Sequence, residues 1–171
     1  MGKEYLCIPA SIMDKDELQG YLMAQWFVCK FKSHKAYICS ESLRMTFGMN
    51  DHRAKKLMNI LRERFGEHKE GVVVSKEDFT MDEQFWMIGD REFDLLIGDP
   101  ALLLHYVTLL KSSGQHGKCI YSLEMFAKIE NKTPHSIVTY NKQLVKMGLL
   151  EVRHRMNNSN IYKLFDIDKI K

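Results

Sequence analysis

Residues 133–152 read Thr-Pro-His-Ser-Ile-Val-Thr-Tyr-Asn-Lys-Gln-Leu-Val-Lys-Met-Gly-Leu-Leu-Glu-Val, and this stretch decides the fold of the C-terminal half. Thr133 can accept hydrogen bonds from the first free N–H groups of a helix, and Pro134 suits the first helical position, where its missing N–H costs nothing. We therefore predict a helix from Pro134 to about Met147. Gly148 is expected to end it in the left-handed conformation.

The predicted helix has two different sides at 100° per residue. The residues expected to face the core are Ile137, Tyr140, Asn141 and Leu144. The opposite, polar side carries His135, Thr139, Lys142 and Lys146. Asn141 is the exception on the core side, because this position is more often apolar. It either pairs within the core or marks a less regular helix.

Short elements are predicted on both sides of this helix. Asp99 and Pro100 open an apolar helix that ends near Ser112, and a short amphipathic helix follows Ser122. The remaining predicted elements are an extended piece at 119–121, a polar turn at 130–132, and strands at 149–155 and 161–165 joined by a polar loop at 156–160.

This order of helices and strands resembles the winged helix-turn-helix family over residues 122–165. The resemblance rests on residues 133–139, Leu144, Gly148 to Leu150 and the run Asn160-Ile161-Tyr162. It implies that the third helix enters the major groove of duplex DNA while the hairpin, the wing, touches the adjacent backbone or minor groove. The DNA-binding residues implied for this half are His135, Ser136, Thr139, Lys142, Lys146, Arg153, Arg155, Asn157, Asn158 and Lys163. The alternative is an ordinary solvated helix face.

Residues 19–97 contain a weaker copy of the same pattern. A helical stretch at 19–31 precedes Tyr37 to Ser40, a short helix at 41–47 and a longer helix at 52–65 capped by Asn50 or Asp51. The expected buried side of the longer helix is Ala54, Leu57, Leu61 and Phe65, and its polar side supplies the DNA-binding candidates His52, Lys55, Asn59 and Arg62. The predicted fold is mainly α with small β-hairpins (α+β), as tandem winged helices over residues 1–98 and 99–171.

Charge is distributed unevenly along the chain. Residues 1–65 carry a net charge of +4, residues 66–98 carry −6 and residues 99–171 carry +5. An acidic hairpin is predicted within 71–97, which phosphate would repel. This segment is therefore expected to face away from DNA or to contact a protein partner or second subunit. Its anchors would be Phe79, Phe85, Trp86 and Phe93, unless they pack between the two domains.

No enzymatic motif is found in the sequence. The seven histidines are scattered, and neither a His-Glu-x-x-His pair nor a Gly-x-Ser-x-Gly turn occurs. The cysteines form no Cys-x-x-Cys pair, so we expect reduced, mostly buried thiols and no metal site. No catalytic residues and no cofactor are predicted.

The sequence is therefore interpreted as that of a double-stranded DNA-binding protein. The pattern is similar to phage and plasmid replication initiators and to small transcription regulators, two roles that the sequence does not separate. Paired half-sites favour a homodimer, for which the helix 19–31 is a candidate interface, although burial in its own domain explains it equally well. The alternative function is a protein-interaction module that uses residues 71–97 without DNA binding. Neither a secretory signal nor a membrane span is recognised, so the cytoplasm is the expected location.

Overall fold

A computed structural model describes residues 5–31, 33–80, 82–113, 118–156 and 159–165. The chain divides into two compact units, residues 1–100 and 101–171. The described residues combine seven α-helices with small antiparallel sheets, so the predicted α+β class is confirmed. None of these helices has the length and apolar character needed to cross a bilayer.

The first unit alternates short strands with helices. Its elements are β1 (Tyr5–Pro9), α1 (Lys15–Lys30), β2 (Lys35–Ile38), α2 (Ser40–Phe47), α3 (Asp51–Phe65), β3 (Val72–Ser75), a 3-10 turn (Lys76–Phe79), β4 (Phe85–Gly89) and α4 (Asp90–Leu96). Helix α1 begins earlier than predicted, because the Asp14 side chain accepts hydrogen bonds from the N–H groups of Asp16 and Glu17. Asn50 caps α3 in the same way, through the N–H of Arg53.

The prediction of an acidic hairpin within 71–97 is wrong. Strand β3 pairs with β2, and β4 pairs with β1, a strand that the sequence analysis does not include. After β4 the chain turns into α4 rather than continuing extended, because Phe93 and Leu96 fall three residues apart and are both buried against the core. Strand β1 shows the two-residue period, with Leu6 and Ile8 buried.

Aromatic residues of the acidic segment belong largely to the core of the first unit. The Phe79 ring lies 5.2 Å from that of Tyr21, and the Phe93 ring lies 6.2 Å from that of Phe47. Both phenylalanines are buried, so they are not available as anchors for a partner, whereas Phe85 is 46% exposed.

Helix α1 is the central helix of this unit and not a free interface. Tyr21, Met23 and Phe27 are buried, and Trp26 is half-buried. Burial in its own domain is therefore the correct interpretation of the helix 19–31.

The expectation for the cysteines is also wrong in part. All four are free thiols, but only Cys119 is buried, while Cys29 is exposed.

The second unit consists of α5 (Pro100–Ser112), β5 (Lys118–Cys119), α6 (Leu123–Glu130), α7 (Pro134–Lys146), β6 (Leu150–Arg153) and β7 (Ile161–Leu164). Its three strands form one antiparallel sheet in the order β5-β7-β6, with β7 in the middle. The predicted caps of α7 are confirmed: Thr133 accepts from the N–H of Ser136, and Gly148 follows the helix at φ +77°.

Candidate nucleic-acid interface

The exposed side of α7 is the one that the sequence predicts. His135, Thr139 and Lys142 are exposed, and Lys146 is exposed one turn further on. Ile137 on the opposite side is fully buried, together with Leu144. Because the exposed polar residues are three or four positions apart, they form a continuous stripe along one side of the helix.

Two hydroxyl groups near the start of α7 are held by the helix itself. The Thr139 hydroxyl donates to the carbonyl of His135 at 3.1 Å, and the Ser136 hydroxyl lies 3.0 Å from that of Thr133. The Thr139 proton is therefore occupied, but its oxygen can still accept a hydrogen bond from a base or a water.

The lysines of α7 have no acidic partner in the described part of the chain. Lys142 and Lys146 are both exposed, and no carboxylate among the described residues forms an ion pair with either ammonium group. Because a lysine without an acidic partner breaks no ion pair when it binds a phosphate, these two lysines are well placed to hold an anionic backbone.

The hairpin of β6 and β7 carries further cations. The Arg153 Nε–H donates to the Glu151 carboxylate at 3.2 Å, and its side chain is still 69% exposed. The Arg155 Nε–H donates to the carbonyl of Ser159 at 2.7 Å. The Lys163 ammonium lies over the Phe165 ring, 5.5 Å from its centre. No described residue accepts a hydrogen bond from the terminal N–H groups of either arginine.

Asn157 and Asn158, the remaining candidates of the wing, lie outside the described residues.

The cations of α3 are arranged differently. Lys55 forms an ion pair with Asp51 at 2.9 Å, and Lys56 forms one with Asp16 of α1 at 3.1 Å. Arg62 donates to the carbonyl of Glu70 at 3.2 Å and to Asn59 Oδ1 at 3.3 Å. Of the four DNA-binding candidates on this helix, His52 and Asn59 are exposed, Lys55 is paired and Arg62 is half-buried.

Asp16 of α1 forms ion pairs with two basic side chains of α3. It is buried and lies 2.7 Å from Arg53 as well as close to Lys56. Burial alone raises the pKa of the Asp16 carboxyl, but hydrogen bonds and charge from Arg53 and Lys56 outweigh it and lower the pKa below its usual value. Asp16 is therefore ionised at neutral pH and fixes two basic side chains of α3 against α1.

A buried polar chain holds α7 to the rest of the second unit. His105 of α5 is fully buried, with its Nδ1 2.6 Å from Glu130 Oε2 and its Nε2 2.6 Å from Asn141 Oδ1. The ring also contacts Phe126 and Tyr140. One histidine thus joins α5 to the end of α6 and to the inner side of α7.

The same chain extends into the sheet. Burial raises the pKa of the Tyr162 hydroxyl, while hydrogen bonds from Asn160 and Asn141 oppose that shift. Asn141 therefore links α7 both to α5 and to the middle strand, β7. The alternative in which Asn141 pairs within the core is the correct one.

Glu130 is the residue of this chain that sequence reasoning missed. The sequence analysis places it in a polar turn, but it is the last residue of α6 and is buried. A lone histidine in the apolar helix α5 and an asparagine on the core side of α7 are the signal that a buried acidic partner is required.

An open groove of about 400 Å³ lies between α7 and the hairpin. Its walls are largely apolar, with Lys142, Glu151 and His154 among its polar lining residues, and the full lining is Leu123, Val138, Asn141, Lys142, Val145, Glu151, Val152, His154 and Asn160. In the described part of the chain, no group of three histidine, cysteine or acidic side chains is placed to hold a metal ion. The groove has the composition of a binding surface.

Comparison with known proteins adds no family to this description. Neither a scan against protein-family models nor a search of curated proteins finds a match for the chain.

Proposed function

We propose that this chain binds double-stranded DNA without covalent chemistry, and that residues 101–171 do so as a winged helix-turn-helix unit. The element order α5-β5-α6-α7-β6-β7 supports this proposal. So does the sheet order β5-β7-β6, in which the last strand lies between the other two. Helices α6 and α7 are separated by only three residues, the spacing of a helix-turn-helix, and the β6–β7 hairpin takes the place of the wing.

The observation that carries the proposal is the contrast between the cations of α7 and those of α3. Lys142 and Lys146 have no acidic partner among the described residues, whereas Lys55 and Lys56 are each paired with an aspartate. A phosphate that approached α3 would have to compete with those carboxylates, and its net gain would be small. The second unit is therefore the main DNA-binding unit in this proposal.

In the proposed complex, residues at different positions along α7 have different roles. His135, Ser136 and Thr139 lie at the N-terminal end of the helix and would meet base edges in the major groove. Lys142 and Lys146, further along, would hold phosphates, and Arg153, Arg155 and Lys163 would contact the backbone beside the hairpin. Phosphate contacts then fix the register, and the first turns of α7 read the sequence.

The first unit has a related element order, α1-β2-α2-α3-β3, and we propose that it is a second winged-helix-like unit. It differs in that β3 and β4 do not form a wing with each other. Both biological roles considered from the sequence, transcription regulation and replication initiation of the phage or plasmid type, need only this non-covalent recognition of a duplex. Both remain part of the proposal.

A pair of charge reversals tests which unit carries the binding. We expect Arg153→Glu to weaken duplex binding about tenfold, about 1.4 kcal/mol, because the Arg153 side chain is 69% exposed and the new glutamate would stand beside Glu151 and repel a phosphate. Arg62→Glu should weaken binding less than about twofold, since the Arg62 side chain is only 30% exposed and already contacts the Glu67 carboxylate and the Glu70 carbonyl. Fluorescence anisotropy of a labelled mixed-sequence duplex measures both constants.

Circular dichroism melts of the two variants check that each still folds. The opposite ranking, with Arg62→Glu the more damaging change in folded protein, would move the main site to α3.

A further inference from the structure

The alternation of hydrogen-bonded and non-bonded residue pairs between β1 and β4 shows which edge of this two-stranded sheet is open to a further strand. The Ala10 N–H donates to the Gln84 carbonyl at 3.0 Å, in continuation of the β1–β4 register. In an antiparallel pair, bonded and non-bonded residue pairs alternate. Gln84 and Trp86 therefore bond towards β1, and the backbone groups of Phe85 and Met87 point the other way.

The outer edge of β1 follows the same alternation, and this edge already bonds to α1. Cys7 is opposite Met87, and its N–H turns away from β4 to donate to Gln25 Oε1 of α1 at 2.9 Å. On the β4 side no third strand is present among the described residues, and none of them bonds to the outward groups of Phe85 or Met87. The open edge is that of β4.

The open edge also has an apolar face. Tyr5 is 45% exposed, Phe85 46% and Met87 53%, and all three lie on the same face of the two strands. The opposite face, with Ile8 and Ile88, is buried in the core. Strand β4 contains no proline or lysine, which commonly protect a free edge from pairing. The outward backbone groups and the exposed side chains of Phe85 and Met87 are thus available to an added strand.

The charge around this edge indicates what would pair with it. Residues 82–94 contain five acidic residues, of which Glu92 is buried, and a single basic residue, Arg91. Asp82 and Glu83 stand before β4, and Asp90 begins the helix after it. Two copies of β4 side by side would bring these like charges together, whereas a basic strand would neutralise them.

We propose that β4 binds an extended, basic segment of a partner protein by strand addition. The partner segment supplies main-chain hydrogen bonds to Phe85 and Met87. Its alternate apolar side chains cover Phe85 and Met87, and its lysines or arginines face the acidic residues at the two ends of the strand. This contact uses residues of the first unit and does not depend on the proposed function.

The probe is a labelled ten-residue peptide in which valine alternates with lysine, titrated with the full chain. We expect a dissociation constant on the order of 10 μM that rises with salt. The same peptide with every backbone amide N-methylated keeps its charge but loses the N–H donors of both strand edges, and should bind at least about tenfold more weakly. Equal binding of the two peptides would overturn strand addition.

Variants of the strand provide the second arm of the test. Met87→Pro removes an outward N–H that the sheet itself does not use, so the fold should tolerate it, and peptide binding should fall about tenfold. Val73→Lys, on the 40% exposed position of β3, is the matched control and should leave binding unchanged. Unchanged binding by folded Met87→Pro would contradict the proposal. So would a dimer of the wild-type chain in sedimentation that Met87→Pro dissociates, since the occupant would then be a second copy.

Discussion

Reversing both lysines of α7, in the variant Lys142→Glu with Lys146→Glu, is expected to weaken duplex binding by about 100-fold or more at moderate salt. Each lysine contributes one phosphate contact in the proposed complex, and each glutamate then repels the same phosphate. Neither lysine is bound to a carboxylate of the described residues, so the free protein should lose no ion pair and keep its stability. Fluorescence anisotropy measures the affinity, and a thermal melt checks the fold.

The matched control is Lys55→Glu with Lys56→Glu on α3, which makes the same change of charge. Because Asp51 and Asp16 already neutralise these lysines, the affinity should fall less than about threefold. The control has a cost in stability, since the new glutamate at position 56 faces the buried Asp16. Equal losses of affinity in the two double variants, both folded, would contradict the assignment of binding to α7.

The largest expected effect on stability comes from His105→Leu. This change removes the hydrogen-bond partner of the buried Glu130 carboxyl group and of Asn141 Oδ1. Leaving a buried polar group without its partner typically costs about 1–3 kcal/mol, and two such groups are left here, a large fraction of the stability of a small unit. Urea denaturation followed by circular dichroism measures the loss.

A double variant separates the effect of the unsatisfied Glu130 carboxyl group from the effect of the lost ring volume. His105→Leu with Glu130→Leu removes both polar partners and should recover part of the loss, because an apolar pair of similar size is often tolerated. Trp26 and Trp86 both belong to the first unit, so tryptophan fluorescence reports on that unit separately. A cost below about 1 kcal/mol for His105→Leu would show that the chain from α5 to α7 is not what holds α7 in place.

Local signals predicted the second unit well. The Thr133-Pro134 start, the apolar period through Leu144 and the glycine at 148 lie within α7 or directly beside it, so nearby residues specify the ends and the two sides of this helix. The polar side of that helix follows from the same period. The strands β6 and β7 were predicted from their composition and from the polar loop between them.

Contacts between residues that lie far apart in the chain account for the features that were not predicted from the sequence. The apolar composition of 71–74 and 85–88 predicts strands but not their partners, and the actual partners, β2 and β1, lie far away in the chain. In the same way, the lysines of α3 look like a basic surface until α1 brings Asp16 beside Lys56. Glu130 looks like part of a turn until α5 brings His105 to it.

The central claim, duplex binding through the cations of the second unit, is tested most directly by the affinity of the unmodified chain for a mixed-sequence duplex across a salt series. Lys142, Lys146, Arg153, Arg155 and Lys163 supply five cations, so the account predicts a slope of log affinity against log salt of about −4 to −5. Absence of binding at low salt, or a slope near zero, would contradict it.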